Sequence, residues 1–522
     1  MQRFLDRYSA DIQGTLSGFD RLLLRGTFRG LMHIGGVLGF LNLVSVRLKD
    51  FASFAERATA QLKQKTLAFA ETLGRPVQEA YRIEGSKEQY AQQITTRDSI
   101  EEGLVCIIKA VEPCRSIRFS TNEETGKPEM NYERRKCQFL YHYLVHPEFG
   151  LMFARVQTWF PYEIQYYING REWLSRRLDK AGMPYQRYDN CFLSLGDIER
   201  AQKEMEQFLE LPFIDLLTEL ARQVNPLYRD MLSPTGNDYY WSIIQSEWAT
   251  DIMFNNVESL NAIYATLVRG GMLAFDCENI LRFFNKRHLS HEARSDYRSI
   301  VEGIRLKHWY QDNSQKLYNK HSVLRPENTI NNPRVFNVFR PKENDPNGPC
   351  DLRYLRKSVV DIKRRSEISQ KCNEKYLDAL AELDTTVPPK ELIEPVTRRT
   401  RYKKKYVRGL RPWTQDDRAL LQAVNNGDFK ATGFRNRDLF PILYPNADPN
   451  DRKRLSSAIT RKIRLLRAHR LIRKMPRSHR YRVTDDGNRI LNAILNDAKC
   501  FAQSTSKGGS VDFLPRKQNF DP

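Results

Sequence analysis

The spacing of hydrophobic and polar residues divides the chain into strand-like and helix-like segments. Apolar runs such as "RLLLRGTF" and "GLVCIIKAV" alternate with a helical pattern over 52–73, which predicts a small α/β domain over 1–110. Residues 137–170 are rich in β-branched and aromatic residues around a "HPEFG" turn, and a helix-like "REWLSRRLDKAG" follows. These patterns predict an aromatic β-hairpin and helical region over 111–235.

A single amphipathic helix is predicted over 198–224, because apolar residues recur there at three-residue steps. They include Phe208, Leu211, Ile214, Leu217 and Leu220. The stretch "WSIIQSEWATDIMF" then predicts a strand that leads into a helix near 257–275. Three strand-like pieces at 303–311, 314–320 and 323–330 follow, joined by the turns "DN" and "HS". They predict an antiparallel meander in a β-α-β-β-β domain over 236–345.

The end of the chain has the element order of a winged helix-turn-helix. Helices at 416–425, near "RNRDLFPIL" and around "NDRKRLSS" precede the strands "LIRKM" and "RYRVT", a "PRSH" turn between them and a helix from Asp485. In the third helix, apolar residues recur at three- and four-residue steps: Leu455, Ile459, Ile463 and Leu466. Polar side chains that can reach base edges or phosphates therefore lie on the other side: Ser456, Ser457, Thr460, Arg461 and Arg464.

The predicted fold class is α+β multi-domain, with an N-terminal α/β unit, antiparallel-sheet middle domains and a C-terminal winged helix-turn-helix. After residue 345 we predict a helical connector over 346–397 and a basic linker over 398–412. A winged-helix domain over 413–500 and a disordered tail over 501–522 complete the predicted organisation.

The charge of the chain favours a polyanionic partner. The sequence has 84 Lys and Arg against 63 Asp and Glu, a formal net charge of +21, and nucleic acid is the leading candidate. Between 452 and 482 there are thirteen Lys or Arg and no Asp or Glu, whereas a solvated helix face usually mixes signs. The segment "RRTRYKKKYVRGLRPW" has eight cations, including Lys403, Lys404 and Lys405, and should be solvated or lie on phosphates.

The cysteines and the hydropathy pattern bound the location of the protein. Eight cysteines lie far apart without a CxxC pair, which favours a reducing compartment. The longest uncharged run, "GLMHIGGVLGFLNLVSV", is short for a membrane span. We therefore expect a cytoplasmic, nucleoid-associated protein without a membrane partner. Double-stranded DNA is the expected ligand, with single-stranded DNA, RNA and a homodimer left open.

The middle domain has the groups that phosphodiester cleavage requires. Glu247 and Asp251 share a face whether their stretch is a strand or a helix. Strand alternation groups further side chains on one face, namely Arg305 and Lys307, then Lys316, Tyr318 and Lys320, then Arg325 and Glu327. Carboxylates can hold a divalent cation, cations can meet developing charge, and a nucleophile can be activated beside them.

The stretch "GIRLKHWYQDNSQKLYNKHSVLRPENTI" resembles the core of rolling-circle replication initiation factors of plasmids and filamentous phages. Those proteins have a glycine-led strand, a Ser-x-Lys/Arg, a "YDK" or "YNK" and an "RxE", and "QSEWATDIMF" corresponds to their earlier acidic strand. The resemblance implies a tyrosine that attacks one DNA strand and leaves a 5′-phosphotyrosine, assisted by Mg²⁺ or Mn²⁺ on acidic residues.

Mapped onto this sequence, the resemblance implies roles for individual residues. Tyr318 with Lys320 matches "YNK", Arg325 and Glu327 match "RxE", and Asp251 matches the acidic strand. Tyr310 is the alternative nucleophile. The predicted catalytic residues are therefore Tyr318, Lys320, Arg325, Lys316 and Tyr310. The predicted metal ligands are Glu247, Asp251 and Glu327.

A second resemblance covers about 90 residues at the end of the chain, which are similar to MarR-like winged-helix domains of transcription regulators. It implies that the third helix enters the major groove and that Arg477 and His479 follow the backbone. The whole chain also resembles a group of uncharacterised bacterial proteins of mobile-element type that end in such a domain. Three hypotheses follow: a DNA-nicking replication initiator, a non-enzymatic transcription regulator without a cofactor, and a structural nucleic-acid-binding protein.

Overall fold

The computed structural model describes residues 1–121, 126, 128–275, 277–284, 293–300, 303–382, 389–403, 405–412, 414–425, 429, 433–476, 478–484, 486–488, 490–491 and 494–495. Lys404, Arg477, Asp485 at the start of the predicted last helix, and the predicted tail over 501–522 lie outside these residues. The chain forms two compact units. The described residues of the larger unit lie within Tyr8–Leu260 and Gln311–Glu374, and those of the smaller one lie within Met1–Arg7, Asn261–Tyr310 and the part of the chain after Glu374.

The α-helices of the described residues are α1 (Gln2–Arg7), α2 (Ile34–Leu43), α3 (Phe51–Thr72), α4 (Lys87–Arg97), α5 (Gly170–Lys180), α6 (Ile198–Gln207), α7 (Phe213–Val224), α8 (Val257–Ala274), α9 (Cys277–Phe283), α10 (Ile362–Ala381), α11 (Pro389–Thr397), α12 (Gln415–Val424), α13 (Asn436–Leu443) and α14 (Arg452–Ala468).

The strands are β1 (Ile12–Phe28), β2 (Val77–Glu79), β3 (Gly103–Thr121), β4 (Pro128–His146), β5 (Gly150–Gln157), β6 (Ile164–Asn169), β7 (Tyr185–Tyr188), β8 (Cys191–Leu195), β9 (Tyr239–Phe254), β10 (Ala293–Ile300), β11 (Gly303–Tyr310), β12 (Asn313–Lys320), β13 (Val323–Ile330), β14 (Asn337–Arg340), β15 (Asp351–Tyr354), β16 (Thr400–Tyr402), β17 (Lys405–Val407), β18 (Ile472–Lys474) and β19 (Tyr481–Val483).

A large mixed sheet dominates the larger unit. Its strands lie in the order β12-β13-β9-β1-β6-β5-β4-β3-β2, and β2 runs parallel to β3 while the other neighbours are antiparallel. The long strand β1 lies between β9 and β6, which come much later in the sequence. The predicted domain boundary at 110 falls inside β3, so the segments predicted as three separate domains contribute strands to the same sheet.

Helices cover one face of this sheet through an apolar core. Leu22 and Leu24 of β1 and Tyr166 of β6 point into it and meet helical side chains such as Trp173 and Met205. The helix predicted over 198–224 is in fact two helices, α6 and α7, with a short 3-10 turn at Phe208–Glu210 between them. Pro212 explains the break, because proline cannot donate the backbone hydrogen bond of a helix interior.

The C-terminal part of the smaller unit has its own core. Apolar residues of α12, α13 and α14 pack with β18 and β19, among them Leu420, Leu439, Ile463 and Val483. The predicted basic linker is instead a hairpin formed by β16 and β17. Asp417 anchors the segment after this hairpin, since its carboxylate accepts hydrogen bonds from Arg408 at 2.6 and 2.7 Å and from the backbone N–H of Arg411 at 2.8 Å.

The fold class predicted from the sequence, α+β with more than one compact unit, is confirmed. The strands of the predicted meander are present as β11, β12 and β13, of which β12 and β13 pair antiparallel. The strand and helix predicted after residue 238 are β9 and α8. Within the described part of the chain, no helix is both long enough and apolar enough to span a membrane.

Candidate functional site

A β-bulge in β1 brings an aspartate to the centre of the sheet. Phe19 pairs with Trp248 and Arg21 pairs with Glu247, so Asp20 is an extra residue without a partner in the register. A bulge re-aims the side chain of the extra residue, and bulges are frequent beside active sites. Here the bulge places the Asp20 carboxylate beside that of Glu247.

Three buried carboxylates meet at this point, from β1, β9 and β13. Asp20, Glu247 and Glu327 are 2%, 7% and 3% exposed, respectively, and one oxygen from each lies within 4.8 Å of the others. We call this group the carboxylate triad. Three oxygen donors on separate, rigid strands suit a hard divalent cation such as Mg²⁺ or Mn²⁺, so the triad can hold a metal ion.

Two side chains of β12 contact the triad because β12 pairs with β13. Lys316 lies opposite Glu327 in the register, donates a hydrogen bond to its Oε1 and lies 3.7 Å from Oε1 of Glu247. The Tyr318 hydroxyl donates a hydrogen bond of 2.7 Å to Oε2 of Glu327. A carboxylate, an ammonium group and a phenol are therefore joined in one hydrogen-bonded cluster.

The electrostatics of the cluster keep Glu327 charged and Tyr318 neutral. Burial raises the pKa of a carboxyl group, but Lys316 and Arg325 outweigh it and lower the pKa of Glu327 to about 2. Burial, together with the charge of Glu327, raises the pKa of Glu247. Burial lowers the pKa of a lysine, yet the two glutamates raise that of Lys316 above its ordinary value. Burial raises the pKa of Tyr318 well above 10.

Arg325 lies behind the triad and is fully buried. Its Nη2 lies 2.5 Å from Oδ2 of Asp20, and its Nη1 lies 3.2 Å from Oδ1 of Asp251. Asn190 supports the same carboxylate of Asp20 through a hydrogen bond from its side-chain amide. Arg325 and Asn190 therefore hold Asp20 in place.

Asp251, a predicted metal ligand, is not a member of the triad. It lies four residues along β9 from Glu247, and at about 3.3 Å per residue this separation is about 13 Å, which is too far for one ion. Its carboxylate instead pairs with Arg325 and with Arg171, whose Nη1 lies 3.6 Å away. Strand alternation correctly predicted that Glu247 and Asp251 share one face of β9. The third carboxylate of the triad is nevertheless Asp20 of β1.

Two other predicted catalytic residues, Lys320 and Tyr310, contact residues outside the triad. Lys320 pairs with Asp189, with 2.5 Å between Nζ and Oδ2. Tyr310 belongs to the smaller unit, where it is buried with its ring against Phe284. Tyr318, the other candidate nucleophile, contacts the triad through its hydrogen bond to Glu327.

On α14 the predicted apolar side is buried at Ile459, Ile463 and Leu466. Ser457, Arg461 and Arg464 are exposed on the opposite side. Ser456 donates a hydrogen bond of 3.1 Å to the Asn436 side chain, and Thr460 accepts one of 2.8 Å from it. These two hydroxyls therefore fix α13 against α14.

Five of the predicted DNA-binding residues line one cavity of about 700 Å³ in the smaller unit. They are Lys403, Lys405, Thr460, Arg464 and His479. The sequence pattern predicts a linker, a helix and a turn for these residues. The folded hairpin brings the linker lysines to the helix.

Sequence reasoning missed Asp20, Asn190 and Arg171 as parts of the cluster. Asp20 is the single acid of β1 and directly precedes the run "RLLLRGTF", which was the available signal. No protein-family model, curated protein or solved structure matches this chain.

Proposed function

We propose that the protein binds DNA and nicks one strand, with Tyr318 as the nucleophile and the carboxylate triad as the site of a divalent metal ion. The observation that supports this most directly is the 2.7 Å hydrogen bond from Tyr318 to Glu327, a member of the triad. A nucleophile hydrogen-bonded to a base that other groups orient is the signature of nucleophilic catalysis.

The proposed reaction is a transesterification. The Tyr318 oxygen forms a bond to phosphorus while the bond between phosphorus and the 3′ oxygen breaks, which leaves a 5′-phosphotyrosine. The leaving 3′ oxygen takes a proton from a water molecule and becomes a hydroxyl. The hydroxide that remains takes the phenolic proton that Glu327 has accepted, so no net proton is gained or lost. A cation on the triad would stabilise the negative charge that develops on the phosphate.

Glu327 would accept the phenolic proton during this step. With a raised pKa on Tyr318 and a lowered pKa on Glu327, the resting site holds a neutral phenol. The proton therefore moves only as the phenol oxygen bonds to phosphorus and loses its basicity. Lys316 would keep the Glu327 carboxylate oriented through its own hydrogen bond.

Site selection would belong to the C-terminal part, interpreted as a MarR-like winged helix. The succession of α12, α13, α14, β18 and β19 matches the order expected for that fold. In this interpretation α14 enters the major groove of duplex DNA, where Arg461 contacts a base, while His479 follows the backbone. A nicking protein of this design suits a mobile genetic element that replicates by a rolling circle.

A non-enzymatic transcription regulator is the second candidate, and one observation favours it. Every acid of the cluster already has a cationic neighbour: Asp20 and Asp251 have Arg325, and Glu247 and Glu327 have Lys316. Such a network can be purely structural. The triad would then be part of the scaffold of a DNA-binding protein.

Incubating the full chain with supercoiled plasmid that carries its own locus, with Mg²⁺ or Mn²⁺, separates the two candidates. Nicking predicts open circles with protein attached in denaturing detergent. Tyr318→Phe should abolish both and keep DNA binding, whereas the matched control Tyr310→Phe should nick normally. A specific footprint without strand breaks would favour the regulator.

A further inference from the structure

The cavity beside α14 is strongly cationic. Its described lining contains six Lys or Arg and no carboxylate: Lys403, Lys405, Arg435, Arg437, Arg464 and Arg467. Arg437 has an acidic neighbour, since its Nε lies 3.7 Å from Oδ1 of Asp438. The other five have no ion pair with any carboxylate in the described ranges. A concave surface with uncompensated positive charge attracts a polyanion.

Two aromatic rings line the same cavity. Tyr402 belongs to β16 and Tyr481 to β19. The guanidinium carbon of Arg467 lies 5.8 Å from the ring centroid of Tyr402 and 5.6 Å from that of Tyr481. A site that binds only phosphates needs cations and no aromatic rings. The backbone of a duplex offers no free base face on which such rings could stack. Tyrosines among cations are instead typical of surfaces on which unpaired bases stack.

The hairpin that contributes Tyr402 is held in place by the rest of the smaller unit. Arg408 follows β17, and its carbonyl oxygen lies 2.8 Å from Nε2 of His469. Its guanidinium pairs with Asp417. The cavity wall is therefore preformed, which lowers the entropic cost of binding a ligand there.

We propose that this cavity binds a nucleotide of single-stranded DNA, with the base against Tyr402 and Tyr481 and the adjoining phosphates on the cationic lining. The inference rests on the proposed DNA-binding function and adds a ligand form, the unpaired strand. Nicking from a melted origin would supply such a strand. A duplex that contacts the cavity only through its backbone is the alternative outcome.

The test compares a labelled oligothymidine with a duplex by fluorescence anisotropy, using the full chain in EDTA so that no strand is cut. Tyr402→Leu should weaken oligothymidine binding about tenfold, because a stacking ring is lost, and change duplex binding less than twofold. Tyr402→Phe should bind like wild type, because the ring is kept. The matched control is Tyr406→Leu, on the same hairpin but 65% exposed and outside the cavity lining, and it should have no effect.

Unchanged oligothymidine binding in Tyr402→Leu, or an equal loss on both ligands, would overturn the inference. The outcome is separable from that of the nicking proposal. A protein that never nicks but shows the Tyr402 pattern leaves this site standing. A protein that nicks normally, with unchanged oligothymidine binding in Tyr402→Leu, rejects this site alone.

Discussion

Arg325 and Asp20 form a buried ion pair, with 2.5 Å between Nη2 and Oδ2. The pair joins β13 to the bulge in β1 and fixes the one triad carboxylate that regular strand alternation would not supply. The same guanidinium also pairs with Asp251. Arg325 therefore lies between two acids, Asp20, which belongs to the triad, and Asp251, which does not.

Asp20→Asn should lose most of the stabilisation by metal ions, because the amide removes a charged ligand. At a Mn²⁺ concentration about 100 times its Kd, wild type should gain about 2.7 kcal/mol of unfolding free energy. Asp251→Asn is the matched control, since it also breaks a pair with Arg325. In the absence of metal it should lower the unfolding free energy by about 3–5 kcal/mol. Thermal unfolding with and without Mn²⁺ measures both. An equal Mn²⁺ response in Asp20→Asn and wild type would remove Asp20 from the metal site.

Burial lowers the pKa of His142 to about 4. An unfolded histidine has a pKa near 6.5. Below that pH, His142 is therefore protonated in the unfolded chain while it stays neutral in the folded chain. The stabilisation by neutral His142 is complete above pH 6.5 and is lost as the pH falls towards 4. Between pH 7 and pH 5 this amounts to about 2 kcal/mol. Urea unfolding of His142→Gln should show a pH dependence smaller by that amount, and identical pH profiles would contradict the assignment.

Asp417→Asn should release the basic hairpin, because Asp417 anchors Arg408 and the backbone N–H of Arg411. We expect faster trypsin cleavage between residues 398 and 411 than in wild type. The adjacent Asp416→Asn is the control, since Asp416 is exposed and pairs with Lys462 instead. If wild type were already cleaved there as fast as an unfolded peptide, the segment would be the linker that its charge suggested.

Arg461→Ala tests the proposed contact with bases, because Arg461 is exposed on α14. The loss at the cognate site should be about 1–3 kcal/mol, with relaxed preference at one base pair. Arg454→Ala, in the first turn of the same helix, is the control and should weaken all sequences equally. Binding to a library of randomised duplexes measures both. Uniform loss in Arg461→Ala would make it a phosphate contact.

The sequence predicted the parts of the site that obey strand periodicity. Lys316, Tyr318 and Glu327 meet because neighbouring strands of a tight meander pair in regular register. Asp20 could not be predicted in this way, because its position depends on a bulge and on pairing between β1 and the distant β9. The basic hairpin was missed for a related reason. Its charge suggested solvation, while its fold depends on Asp417 and His469, which lie outside the segment.

The central claim is that Tyr318 forms the bond to DNA, and mass spectrometry of the attached peptide tests it most directly. After a metal-dependent reaction, nuclease trimming and trypsin digestion, the peptide of residues 317–320 should have the added mass of a nucleotide on Tyr318. The account predicts this adduct in wild type and its absence in Tyr318→Phe. Nicked DNA with the adduct on Tyr310, or with no protein adduct at all, would contradict it.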